Sequence, residues 1–187
     1  EILAKLVFCF ENDPERSDGI ISGAQDSIGI CMPGLVRHYY DNRFWPDKFE
    51  SCDDEEVLSW VESHVCMIPM EPRRPGCSVV DGKDITEPKV KNLAKAADDC
   101  WNAMLRRDFA AFASAFKASF DAQVAMFPAM IQGCVQEFID KYSAMPEVHA
   151  WKMPGAGGGG YLVLVVDDVK SFKEKHPETI NLTIRRK

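Results

Sequence analysis

The sequence has no Cys-x-x-Cys pair, no histidines at ligand spacing and no excess of positive charge. Its seven cysteines, Cys9, Cys31, Cys52, Cys66, Cys77, Cys100 and Cys134, are odd in number and widely spread. That excludes a zinc ribbon and a thioredoxin-type redox pair. Several lie inside apolar stretches and read as small core residues, a pattern that fits a reducing compartment and predicts a cytoplasmic protein. His38, His64, His149 and His176 are scattered, so no metal site is expected. Lys plus Arg is 22 against 29 Asp plus Glu, a net charge of −7, which repels a nucleic-acid backbone and excludes a general nucleic-acid binder. Long apolar runs are missing too. Ile2–Phe10 carries Lys5 and has no small-residue cleavage site after it, so it is neither a signal peptide nor a membrane span. No internal repeat is visible.

What remains is an ordinary globular composition, 46% apolar and 27% charged over 187 residues, enough for one domain or slightly more. The chain starts at Glu1 rather than Met, which suggests a piece cut from something longer or processed. Charge is uneven: residues 1–88 hold 8 basic and 18 acidic residues, and residues 89–187 hold 14 and 11. The run Asp53-Asp54-Glu55-Glu56 reads as a helix N-terminus, where acids complement the dipole, rather than as a cation site.

Ile2–Phe10 reads as the last turns of a helix whose beginning is missing, Leu35–Tyr40 as a strand, Val57–Val65 as a short helix or a helix-to-strand junction and Cys66–Met70 as a strand stopped by Pro72 and Pro75. Leu93, Ala96, Ala97, Cys100, Trp101, Met104 and Leu105 make one face of an amphipathic helix. Asp108 caps a second helix that carries Phe109, Phe112, Phe116 and Phe120, a stripe that reads as core. Pro128 marks a boundary or the first turn of a third helix, whose apolar face is Ile131, Cys134, Val135, Phe138, Ile139 and Tyr142. Val148–Met153 and Tyr161–Val166 read as strands, Asp167–Lys175 as an Asp-capped helix and Ile180–Ile184 as a final strand. Strand, helices, two strands, helix, strand is the order of a split βαβ, or ferredoxin-like, layer.

Two places have the residues for chemistry. The first is Gly155-Ala156-Gly157-Gly158-Gly159-Gly160, wedged between two strand candidates. Such glycines let backbone approach a ligand closely and turn N–H groups toward phosphate; a glycine-rich hairpin uses the same residues, and spacing leaves both open. The second is Gly19 to Gly29, where Asp26 lies between glycines ahead of an apolar run. Its carboxylate can accept a proton from a substrate hydroxyl, or cap the Ile28–Met32 segment; residue chemistry alone favours the cap. Arg73-Arg74 could face a substrate phosphate, but between two prolines they read rather as solvated loop residues.

Taken together these segments resemble the GHMP small-molecule kinases, the superfamily of galactokinase, homoserine kinase and mevalonate kinase. Lys152 to Leu162 is similar to that family's third motif, in the form of the fucokinase and heptose-phosphate kinase branch. Ser22-Gly23-Ala24-Gln25-Asp26-Ser27 resembles the segment with the family's catalytic aspartate, and Ala97–Pro128, with Cys100-Trp101, Arg107-Asp108 and Gln123 to Pro128, also looks like the sugar-kinase branch. Ser27 stands where the family usually has Gln, and Pro154 where many members have Ser or Thr. The first motif and the serine-rich phosphate loop of the second are absent, so the resemblance places Glu1 after both.

The expected fold is α+β: residues 61–187 as a ferredoxin-like split βαβ C-terminal domain with extra helices, and residues 1–60 as a remnant of the N-terminal catalytic domain. The resemblance implies ATP and Mg2+ as cofactors, with no identifiable magnesium ligand in this chain. It implies phosphoryl transfer to a sugar or sugar-phosphate hydroxyl, with Asp26 catalytic. Ser22, Gly23, Gln25, Gly155, Ala156, Gly157, Gly158, Gly159 and Gly160 would lie near substrate and phosphate. The expected partners are the sugar, a segment or separate chain with the phosphate loop, and a second copy through residues 1–50, but no nucleic acid or membrane. The rival reading is a non-catalytic binding or assembly module that keeps the kinase fold.

Overall fold

The structure is a computed structural model and describes residues 1–13, 15, 22–73, 78–132 and 134–187. Its chain divides into two units, residues 1–58 with 184–187, and residues 59–183.

In the first unit α1 (Ile2–Glu11) packs on α2 (Ala24–Cys31). Ala4, Ala24 and Ile28 form its small core, joined by Phe8, Trp45 and Phe49. The same helix leaves Ile2, Leu3, Leu6 and Phe10 exposed. Strands β1 (Leu35–Tyr39) and β2 (Lys48–Cys52) form an antiparallel pair, from Leu35 opposite Cys52 to Tyr39 opposite Lys48. The sequence gives little sign of β2, because its five residues, Lys-Phe-Glu-Ser-Cys, are largely polar and do not alternate cleanly. Helix α3 (Glu55–His64) is capped by Asp54, whose Oδ1 accepts from the amides of Glu56 at 2.9 Å and Val57 at 3.2 Å. Two neighbouring acids meet the chain's basic end: Glu55 pairs with Arg186 through two hydrogen bonds, at 2.7 and 3.0 Å, and Asp53 with Lys187. The acidic run is thus a capped helix start.

The second unit opens with β3 (Val65–Pro69). Helix α4 (Glu87–Arg106) ends in Arg107, which adopts the left-handed conformation (φ 54°), and Asp108 then caps α5 (Phe109–Met126) through the Ala111 amide at 3.1 Å. This two-residue turn folds the helices into a hairpin. The expected third helix is split. Pro128–Ile131 is a single 3₁₀ turn, and α6 begins only at Val135 and runs to Ser143. Strands β4 (Val148–Lys152) and β5 (Tyr161–Val166) follow. Helix α7 (Val169–Lys175) is capped by Asp168 rather than Asp167, and Asp167 instead pairs with His149 at 2.7 Å. The last strand, β6, is only Ile180–Asn181, shorter than the alternation predicts, since it pairs with β3 at Cys66 and Met67 alone.

All neighbouring strands are antiparallel, in the order β4-β5-β3-β6. Counted within this unit the order is second, third, first, fourth, which is the ferredoxin-like arrangement the element order predicted. Alternate β5 residues Leu162, Leu164 and Val166 share one core with Cys66 and Ile68 of β3 and with Phe120, Val135, Tyr142 and Phe172 of the helices. Among the described residues no helix is long and apolar enough to cross a membrane.

One polar group interrupts this packing. Lys152, the last residue of β4, donates from Nζ to Ser119 Oγ at 3.0 Å on α5. Burial holds its pKa below the ordinary lysine value, and the same environment pushes the Cys100 thiol on α4 up to about 11. A lowered lysine pKa means that the folded state binds the proton less well than the unfolded state, so stability rises with pH through that window. Lys152→Met is therefore expected to stabilise the protein by about 1 kcal/mol at pH 7. Urea denaturation should show the gain shrinking as pH climbs from the lowered pKa toward 10.5, where the unfolded lysine also loses its charge. A net loss at pH 7 would mean that the Ser119 bond outweighs desolvation.

Candidate functional site

The first group of predicted residues lies at the start of α2. Gly23 is the N-cap, in extended conformation and with no side chain to cap with; Asp26 sits inside the first turn. Asp26 is therefore not the helix cap that residue chemistry favoured. Its carboxylate is exposed and makes no hydrogen bond or ion pair with the described residues. The position favours an anion, because the first-turn amides present the positive end of the helix dipole. Ser27, one residue on, is fully buried and donates to the Ala24 carbonyl at 2.9 Å, so it faces the helix packing and not the surface. Gln25 is exposed. Ser22 is held by Asn12 at the end of α1: its amide donates to Asn12 Oδ1 at 2.7 Å, and Asn12 Nδ2 also donates to the Phe8 carbonyl at 2.8 Å. Gly19, also part of the candidate segment, lies outside the described residues.

The second group is the loop between β4 and β5. Gly155, Gly157, Gly158, Gly159 and Gly160 all have positive φ, from 64° to 144°. Side-chained residues rarely adopt this backbone, which explains the composition of the run. The loop is fastened on two sides. The Met70 amide donates to the Gly160 carbonyl at 2.8 Å and the Gly160 amide to the Glu71 carbonyl at 2.9 Å, which carries the β3–β5 pairing past Pro69 and Tyr161. The Gly158 amide donates to the Met130 carbonyl at 2.8 Å in the 3₁₀ turn. At Gly157 and Gly159 these contacts leave no room for a methyl group. A Cβ on Gly157 would stand 2.9 Å from Met130 Cβ, and one on Gly159 would stand 2.6 Å from the Glu71 carbonyl oxygen.

Two of the loop's amides are therefore consumed inside the protein, which is the work of a glycine-rich hairpin. The amide of Gly159, between them, has no partner among the described residues. Gln123, near the end of α5, makes a long 3.5 Å contact from Nε2 to the Gly155 carbonyl, and its Oε1 is buried without a hydrogen bond. Sequence reasoning missed the segment from Met70 to Arg73 as a wall of this loop. Pro72 reads as the end of a strand, whereas the ladder continues past that strand's end. Ser22 to Asp26 belong to the first unit and Gly155 to Gly160 to the second. A cavity of about 380 Å³ in the second unit, lined by Glu62, Ser63, Asp168, Lys170, Lys173 and Asn181, includes none of the residues singled out from the sequence.

No protein-family model matches the sequence, and no curated protein matches it significantly. Solved structures do match in three dimensions. A candidate sugar kinase from Campylobacter jejuni superposes with a TM-score of 0.64 at 18% identity, over 98% of this chain and 54% of that one. A mevalonate kinase superposes with a TM-score of 0.60 at 15% identity, over 98% of this chain and 56% of that one. The fold is that of these two solved structures. At such identities the likeness is one of fold alone, and the chain spans about half the length of the structures it matches.

The fastening of the loop predicts a gradient among its glycines. Gly159→Ala combines a strained φ with a backbone clash and should cost about 2–3 kcal/mol. Gly155→Ala has open space around its Cβ and should cost only about 1 kcal/mol, the price of left-handed backbone. Chemical denaturation of the two variants checks the order; equal costs would mean that the contacts with Glu71 do not hold the loop.

Proposed function

We propose that this chain forms the C-terminal portion of an ATP-dependent small-molecule kinase that phosphorylates a sugar or sugar-phosphate hydroxyl. The observation that carries this reading is the kinase fold over 98% of the chain, together with an exposed, unpaired carboxylate and a rigid glycine loop at the positions the motifs indicate. ATP with magnesium supplies the phosphoryl group when bound. Magnesium keeps several waters and binds through one or two carboxylates plus substrate phosphates. Among the described residues no three His, Cys, Asp or Glu side chains cluster to hold a metal. The resemblance implies an ion carried on the nucleotide's phosphates.

The chain's own residues have two tasks. Asp26 orients the acceptor hydroxyl and takes its proton. The loop from Gly155 to Gly160 presents uncharged, fixed backbone to substrate and phosphate, with Ser22, Gly23 and Gln25 beside Asp26. Phosphoryl transfer depends chiefly on positioning and charge stabilisation, so fixed backbone suits it. The serine-rich phosphate loop would come from a preceding segment or a partner chain.

A second reading is favoured by one observation. The amides of Gly158 and Gly160 are spent on Met130 and Glu71, which suits a non-catalytic module that keeps the fold for binding or assembly. The two readings separate in one assay. ATP turnover is measured over a panel of sugars with the chain extended to include a serine-rich phosphate loop. The kinase reading predicts turnover, and Asp26→Asn is expected to lower kcat by about a hundredfold or more. Full rate in that variant removes the catalytic role, and no turnover with any sugar favours the module.

A further inference from the structure

The segment that leaves β3 lays the aliphatic stem of Arg73 against the glycine loop. A Cβ built on Gly158 would stand 3.3 Å from Arg73 Cγ and 3.5 Å from Arg73 Cδ, so the arginine's stem covers that glycine. A Cβ on Gly159 would stand 2.8 Å from the Arg73 backbone nitrogen. Arg73 is thus carried by backbone that the Glu71 bond fastens to the loop. The residue is exposed, and no carboxylate among the described residues pairs with it. The loop beside it carries no charged side chain, and its Gly159 amide is unbonded.

A guanidinium offers a planar fork of donors and no acceptor, which matches a phosphate and is wasted on a neutral hydroxyl. A backbone amide among glycines of positive φ adds a donor that cannot be turned into a competitor. We propose that Arg73 and the Gly159 amide form a subsite for a phosphate group, so that the ligand seated against this loop is phosphorylated. Two sources share that chemistry, a phosphate ester on the acceptor sugar and the phosphates of the nucleotide. Only the naming of the acceptor rests on the kinase reading; the anion subsite stands without it.

The test is a 1H–15N NMR titration of the whole chain with inorganic phosphate, glucose 1-phosphate, glucose, and ATP with magnesium. Inorganic phosphate and at least one of the two phosphorylated probes are expected to shift the Gly159 amide, and glucose is not. Arg73→Gln should weaken those phosphate probes by roughly ten- to a hundredfold, and Arg73→Lys should restore part of the loss, while the dispersed spectrum and melting temperature stay as in the wild type. A loss confined to inorganic phosphate and glucose 1-phosphate assigns the subsite to the acceptor; a loss that includes ATP assigns it to the nucleotide. Phosphate binding that is equal in Arg73→Gln and wild type overturns the proposal, as does a Gly159 amide that no phosphate probe moves. Phosphate binding through Arg73 in a chain whose Asp26→Asn variant keeps full turnover would remove the role of Asp26 and leave the subsite in place.

Discussion

The hydrogen bond from the Gly160 amide to the Glu71 carbonyl is the constraint on which the candidate site depends. It extends the β3–β5 ladder into a segment that composition alone marks as loop, and with the Met70 bond it closes the base of the run. Once that base is closed, Gly158 is brought to the 3₁₀ turn at Met130, and Arg73 is brought across Gly158. Every glycine in the run then adopts a backbone that side-chained residues avoid. Without this fastening, six small residues would pay a large conformational cost for order, and no ligand would meet a fixed surface.

Much of the second unit was legible in the sequence because its signals are long and periodic. The α4 stripe from Leu93 to Leu105, the Asp108 cap and the β-branched run of β5 each specify one element, and their order predicts the ferredoxin-like layer. The first unit was less legible. Strand β2 is short and largely polar, and its partner β1 is half-buried along its whole length, so neither shows clean alternation. Helix α6 starts late because the apolar face from Ile131 to Tyr142 runs through a 3₁₀ turn and a break before it.

The candidate site was legible in its residues and not in their contacts. The glycine run and Asp26 stand out by composition and motif. What each does locally depends on partners far away in the chain: Asn12 holds Ser22, Met130 takes the Gly158 amide and Glu71 takes that of Gly160. The prolines around Arg73-Arg74 suggest a solvated loop; Arg73 is exposed there with its stem against Gly158, and Arg74 lies outside the described residues. Asp26 differs from the cap that local chemistry favoured because the helix begins two residues earlier, at Ala24, with Gly23 outside it. A free carboxylate in a helix first turn is a different chemical object from a capping one, since its oxygens remain available.

The loop is fixed backbone whose amides alternate between fastened and, among the described residues, unbonded. Amide hydrogen exchange resolved at single glycines by NMR tests it directly. Gly158 and Gly160 are expected to exchange at least about tenfold more slowly than Gly159 between them, because their amides are bonded to Met130 and Glu71 while that of Gly159 has no partner among the described residues. Uniformly fast exchange across Gly157 to Gly160 would contradict it, and would leave the run as an unfastened hairpin with no built surface for a ligand.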